Sequence, residues 1–450
     1  MLPPHPLALL VRMLRSVAFL AIGVALGLAV GQVVPLAGRA WWHGVHGSDA
    51  ARAARVTTAR PDWVATWATS AQEPSDGAGP QHGFEDETVR EIIYASVGGS
   101  AVRIRLTNLF GQRPLVIGAA TVGAVLDGAD LVPGTDVPLT FAGAASVTIP
   151  VGATVTSDPV QRAVTPLEEL ALSLYLPVLT GPPTNHLDAE QQAYMAPGNH
   201  AGDSAGSAFT TPERSSYYAT EVDVRADSAP GTVVAFGDSI TDGLDSDPGA
   251  NDRWPNYLAR RYDAALGASA PAVVDEGISG NRVLEDSACS GQSALNRFTR
   301  DALDVAGVRA VILMEGINDI GFALRPPAVC STPTNARLTA SQVEAGYRTL
   351  INLAHARGVK VYLGTLTPTN GTPGPSYWLR QQVNRWILAS HAAGISDGVV
   401  DFQAALADPA DPGYMAPAYN SGDNLHPGDL GYSAMADAVP LTWADLGVPR

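Results

Sequence analysis

Val233-Val-Ala-Phe-Gly-Asp-Ser-Ile-Thr-Asp-Gly243 is the stretch from which the fold is read. Val233, Val234, Ala235 and Phe236 form a short apolar run, the signature of a buried strand. Gly237 breaks the run, and Asp238, Ser239 and Thr241 are residues that start helices. A strand that turns straight into a helix leaves a hydroxyl at the carboxyl edge of a sheet. The positive end of the helix dipole favours negative charge there. Ser239 is therefore a candidate nucleophile.

Outward from this stretch the chain alternates strand and helix. Strands are expected at Thr232–Phe236, Ala272–Glu276, Ala310–Met314, Lys360–Gly364 and Val399–Asp401. Helices are expected at Trp254–Leu266, Ala294–Asp304, Ser341–Arg357, Trp378–Ala393 and Leu430–Val439. Such alternation predicts a parallel sheet with helices on both faces, whose ligands sit at the carboxyl ends of the strands.

Before Pro230-Gly231 the texture differs. From Asp62 to about Arg225 short alternating runs are punctuated by Pro and Gly, which predicts an all-β, sandwich-like region. Glu91–Leu106 reads as a hairpin turning at Gly98-Gly99, because Val102, Ile104 and Leu106 alternate with Arg103 and Arg105. Further back, Ser16–Gly38 holds no charged residue and follows Arg12 and Arg15. That run is long enough to span a bilayer and is oriented by the two arginines with the body outside. It is either an uncleaved anchor or a removed signal. The expected organisation is a signal peptide or membrane anchor over residues 1–41, a linker over 42–61, a β-sandwich-like region over 62–228 and an α/β domain over 229–450. The body is expected to be exported, extracellular or at the cell surface, and tied to the membrane by residues 16–38 if these are kept.

With 44 acids against 28 bases, the formal charge of the 450-residue chain is −16, so a nucleic-acid partner is not expected. The two cysteines, Cys289 and Cys330, make no CxxC or Cys/His cluster that would hold a metal. In an exported protein an even pair suggests one disulfide.

Three further segments follow strands or fall in the last loop. Asp275-Glu-Gly-Ile-Ser-Gly-Asn-Arg282 places Gly280 where backbone can approach a ligand and offer an unhindered N–H. Leu313-Met-Glu-Gly-Ile-Asn-Asp-Ile320 places Gly316 at a turn and Asn318 beside it. Asp423-Asn-Leu-His426 puts an acid three residues before a histidine, where it can bond Nδ1–H and leave Nε2 as an acceptor. Each piece alone is an ordinary turn, cap or loop; their joint order is the informative signal.

Together these blocks resemble the SGNH (GDSL-type) hydrolase family over about residues 231–445. Gly237-Asp238-Ser239, Gly280, Gly316-Ile-Asn318-Asp319 and Asp423–His426 match its four blocks. The preceding β region is similar to the amino-terminal domain of some bacterial members. The resemblance implies a flavodoxin-like three-layer fold and ester hydrolysis through an acyl-enzyme. It implies Ser239 as nucleophile, His426 as base and acid, and Asp423 as its orienting carboxylate. Ser239, Gly280 and Asn318 would form the oxyanion site. Asp238, Gly316 and Asp319 would support turns, while Glu315 and Arg282 would shape the pocket. No cofactor or metal is implied. The substrate would be a small-molecule or glycan ester, with short acyl groups on a carbohydrate or other polyol. The alternatives are a lipase, thioesterase or acyltransferase for longer chains, and a non-catalytic wall-binding protein. A glycosidase would need a carboxylate pair that no motif supplies.

Overall fold

The computed structural model describes residues 61–74, 80, 82–323, 338–369 and 374–445. All lie in the compact unit Ala53–Arg450. The apolar run Ser16–Gly38 and Cys330, the second half of the expected disulfide, lie outside the described residues. Among the described residues no helix is long and apolar enough to cross a membrane.

Seven principal strands precede residue 230: β1 (Val64–Ala68), β2 (Glu87–Tyr94), β3 (Val102–Thr107), β4 (Ala119–Asp127), β5 (Glu169–Leu176), β6 (Ala193–Pro197) and β7 (Ala219–Val224). They are divided between two antiparallel sheets. In one, β7 lies between β1 and β3; in the other, β2 lies between β5 and β6, with β4 beyond β5. Ile104 and Leu106 from the first sheet and Val89, Leu172 and Leu174 from the second are fully buried in one apolar cluster. Burial of this kind is worth about 25 cal/mol per Å² of apolar surface.

The hairpin expected over Glu91–Leu106 does not form, because β2 and β3 belong to different sheets. Seven residues separate them, and neither Gly98 nor Gly99 takes the positive φ of a tight hairpin turn. Gly99 instead bridges to Val164. Alternation along β3 correctly marks a buried face; it does not say which strand lies beside it.

After residue 230 come β8 (Thr232–Gly237), β9 (Ala272–Gly277), β10 (Val308–Met314), β11 (Lys360–Gly364) and β12 (Gly398–Val400). They form one parallel sheet in the order β9-β8-β10-β11-β12. The helices are α1 (Ser239–Asp242), α2 (Trp254–Leu266), α3 (Ala294–Phe298), α4 (Ile317–Ala323), α5 (Ala340–Ala356), α6 (Pro375–Ser390), α7 (Phe402–Leu406) and α8 (Asp429–Ala438). Right-handed crossovers send α2 to one face and α3, α5 and α6 to the other, because the strand order reverses after β9. Accordingly α2 packs on α8, and α5 on both α3 and α6. Val343, Tyr347, Leu350, Ile351 and Ala354 form the buried stripe of α5. This is the SGNH-type α/β arrangement with a parallel sheet behind a β-rich region.

Strand β8 is fully buried between β9 and β10, so its carboxyl end is the point where the strand order reverses. Loops that diverge at such a point leave a crevice. Edge strand β9 is not bare: the Val273 amide donates to Ser96 Oγ of the β region at 3.1 Å.

Candidate active site

Ser239 opens α1 directly after β8. The Asp238 side chain caps this single turn by accepting the Ile240 amide at 3.0 Å. Burial pushes the Asp238 carboxyl up to about 7, which suits a cap and not an exposed acid. Ser239 is buried within the site, and its Oγ lies 2.8 Å from His426 Nε2.

His426 stands in the loop that leads into α8. Its Nδ1 lies 2.5 Å from Asp423 Oδ2. Asp423 Oδ1 accepts the amides of Leu425 and His426, each at 2.8 Å. One carboxylate thus shapes its own loop and orients the ring. Burial pushes the Asp423 carboxyl up, but the His426 and Leu425 amides and the His426 ring outweigh it and hold it below the usual range. With Nδ1 bonded to the carboxylate, Nε2 is left to accept from the serine hydroxyl.

Gly280 has φ +77°, and a Cβ there would lie 2.4 Å from Ser290 Oγ. The close approach of backbone therefore requires glycine. The amides of Ser239 and Gly280 have no hydrogen-bond acceptor among the described residues. Asn318 Nδ2 donates one hydrogen to Asn281 O at 3.0 Å, which leaves its second N–H for a ligand. Asp319 accepts the amides of Val283 and Leu284, at 2.7 and 3.1 Å, and so holds the loop after Gly280. Gly316, at φ +115°, turns the chain from β10 into α4, a helix absent from those expected from the sequence.

Ser239, Gly280, Asn318, Asp423 and His426 all line one cavity of about 570 Å³. Its remaining wall combines Leu244, Ile317, Ile320 and Phe322 with Thr369, Ser376, Tyr377 and Arg380. Glu315 and Arg282 do not line it. Glu315 is fully buried 3.6 Å from Arg297, and Arg282 pairs with Glu285 at 3.2 Å. Both point into support, because the turn at Gly316 carries the chain away from Glu315 before the cavity begins.

The sequence reading missed three residues behind the site. Arg297 on α3 is fully buried and donates to Gly237 O and Glu276 O, each at 2.8 Å, and to Ser70 Oγ at 2.9 Å. Its Nε donates to Asn281 Oδ1 at 3.0 Å. It thus ties the end of β8 to the loop carrying Gly280. Asp245 Oδ2 lies 4.0 Å from His426 Nδ1 and accepts Ser421 Oγ at 2.8 Å. A buried His186–Asp242 pair stands on the other side of α1. An aspartate, an arginine and a histidine outside any motif give no sequence signal. Among the described residues, Asp245, Asp423 and His426 are the one group with donor atoms close enough for a cation, within 4.8 Å. Both His426 nitrogens are already engaged, by Ser239 and Asp423.

Residues 235–434 match the model of the GDSL-like lipase/acylhydrolase family. Among solved structures the chain is similar to Axe2, an acetylxylan esterase from Geobacillus stearothermophilus. The identity is 21%, covering 49% of this chain and 96% of that one, with a TM-score of 0.37. It is also similar to a GDSL-like lipase from Bacteroides thetaiotaomicron, at 21% identity over 46% of this chain and 84% of that one, TM-score 0.32. No curated protein matches the chain.

Proposed function

We propose that this carboxylic ester hydrolase, a member of the GDSL-like lipase/acylhydrolase family through residues 235–434, cleaves its ester through a Ser239–His426–Asp423 triad. The observation that carries this reading is the continuous relay from Ser239 Oγ through the His426 ring to Asp423, at 2.8 and 2.5 Å. Ser239 Oγ attacks the ester carbonyl while Nε2 takes its proton. Asp423 stabilises the imidazolium that results. The carbonyl oxygen, now negative, is received by the amides of Ser239 and Gly280 and the second N–H of Asn318. Collapse expels the alcohol, which takes the proton from Nε2. Water then repeats the cycle on the acyl-enzyme and regenerates Ser239.

The substrate we infer is a short acyl group on a carbohydrate or other polyol. In support, Thr369, Ser376 and Tyr377 bring hydroxyl groups to a wall that they share with Leu244, Ile317, Ile320, Phe322 and Leu425. We further propose that the body is exported, with residues 16–38 as signal or anchor, and that Cys289 and Cys330 are bridged. Mass spectrometry of the mature amino terminus and thiol titration of the secreted protein test these two points.

The central test is Ser239→Ala assayed on p-nitrophenyl esters from acetyl to palmitoyl. Turnover is expected to fall about 10⁴-fold or more, without loss of the folded state. Retained turnover in that variant overturns the assignment. In the unmodified protein a steep decline beyond butyryl supports the short-chain reading; a preference for long chains replaces it with a lipase.

A further inference from the structure

His186 belongs to the β region, yet its ring is buried against the catalytic turn. Nε2 lies 3.0 Å from Asp242 Oδ1, and Nδ1 lies 3.0 Å from the carbonyl oxygen of Ser70. A carbonyl accepts only, and so does a carboxylate. A neutral imidazole has a single N–H and could satisfy one of the two. Geometry therefore makes His186 an imidazolium and Asp242 its counter-charge. The other acids facing this spot are Asp275 and Glu190, and burial pushes both up to about 7. The other cations are Arg253, which faces both of those acids, and Arg214, which faces Glu190.

Asp242 closes the turn that begins with Ser239. Its second oxygen, Oδ2, accepts both the amide and the hydroxyl of Ser279, each at 3.1 Å. Ser279 precedes Gly280. The approach is tight: a Cβ on Gly277 would lie 2.2 Å from the Asp242 amide nitrogen. One carboxylate thus links the nucleophile turn to the loop that presents a proposed oxyanion donor. A carboxylate this deep needs a partner to remain charged, and the β region supplies it.

We propose that His186 is a positioning residue for ester cleavage: from the β region it fixes Asp242, which sets the Ser279–Gly280 backbone at the right distance from Ser239. The inference rests on the reading of Gly280 as an oxyanion donor. It assigns the β region a part in assembling the active site, beyond any role in binding.

The test uses the full chain with p-nitrophenyl acetate and an alkyl boronic acid, whose tetrahedral serine adduct occupies the oxyanion site. His186→Gln is expected to lower kcat about 10- to 100-fold, with KM within about twofold. Boronate affinity should fall in the same proportion as kcat. Ser279→Ala removes one of the two donors to Asp242 Oδ2 and should lower kcat less. The double variant should be no slower than His186→Gln, because both act through Asp242. Unchanged kcat in a folded His186→Gln, a KM rise that accounts for the whole loss, or fully additive effects in the double variant would each overturn the proposal. Should His186→Gln fail to fold, Ser279→Ala alone decides: unchanged kcat and boronate affinity sink the inference. Ser239→Ala keeps the two readings apart. If it is inactive while His186→Gln is fully active, only the positioning role is lost.

Discussion

The carboxyl edge of the parallel sheet and the β region behind it support one cleft in different ways. At the sheet edge, the nucleophile and the ring are each braced by a neighbour in sequence: Asp238 caps the turn that Ser239 opens, and Asp423 holds the ring three residues later. The β region contributes by single residues reaching far along the chain. Ser70 meets Arg297 across 227 positions, and His186 meets Asp242 across 56. Each reacting residue has its brace on its own turn, although Ser239 and His426 themselves meet across 187 positions. The more distant supports need only charge and shape at a point, which any segment can deliver.

Variants sharpen this contrast, and the largest effect belongs to the sheet edge. Asp423→Asn leaves the ring in place with the wrong tautomer, and kcat should fall about 10⁴-fold. Asp245→Asn, whose carboxylate stands 4.0 Å from the same nitrogen, should cost less than about tenfold for a contact lacking hydrogen-bond geometry. Steady-state kinetics of the two variants decide which acid orients His426; equal losses would mean that the pair acts jointly. Asn318→Ala should lower kcat about 10²- to 10³-fold with KM little changed. A loss expressed wholly in KM would place Asn318 in substrate binding instead.

Arg297→Met tests the other side. It leaves Glu315 and Ser70 without their buried cation, and stability to denaturant should fall by about 3–5 kcal/mol. Because Arg297 also holds Gly237 O and Asn281, a stable variant with full activity would show that the two regions are joined elsewhere.

This contrast also explains what could be read in the sequence. All five parallel strands and α2 lie within two residues of their expected limits, since apolar runs bounded by Gly and helix caps are local signals. The four site blocks were equally legible: each occupies at most a few consecutive positions. The Glu91–Leu106 hairpin failed because period-2 alternation records a buried face and not a neighbour. The expected Ala294–Asp304 helix changes at Thr299 into a wider turn of π type, a shift that residue spacing does not announce. Arg297 and His186 were invisible because a buried charge is recognised by its partners, and these come from elsewhere in the chain.

The smallest expected effect on activity lies in the β region, where the chemistry should be untouched. Glu91 on β2 is fully buried; its Oε1 accepts the Tyr217 amide, while Oε2 has no hydrogen-bond partner among the described residues. Burial pushes its carboxyl up to about 8, against the lowering influence of that amide. An unfolded glutamate ionises near 4.5, the value from which this shift is counted. Between that pH and about 8 the folded chain keeps a proton that the unfolded chain has lost. The native state then binds more protons, so unfolding free energy falls as pH rises through this window. The slope from this one group is at most about 1.4 kcal/mol per pH unit. Glu91→Gln removes it, so the variant should gain on the parent as pH rises from 5 to 8.5 in urea titrations. The pH profile of kcat should be the same in both. Parallel stability curves would mean that Glu91 titrates at its ordinary value; a shifted kcat profile would mean that even this distant acid is felt at Ser239.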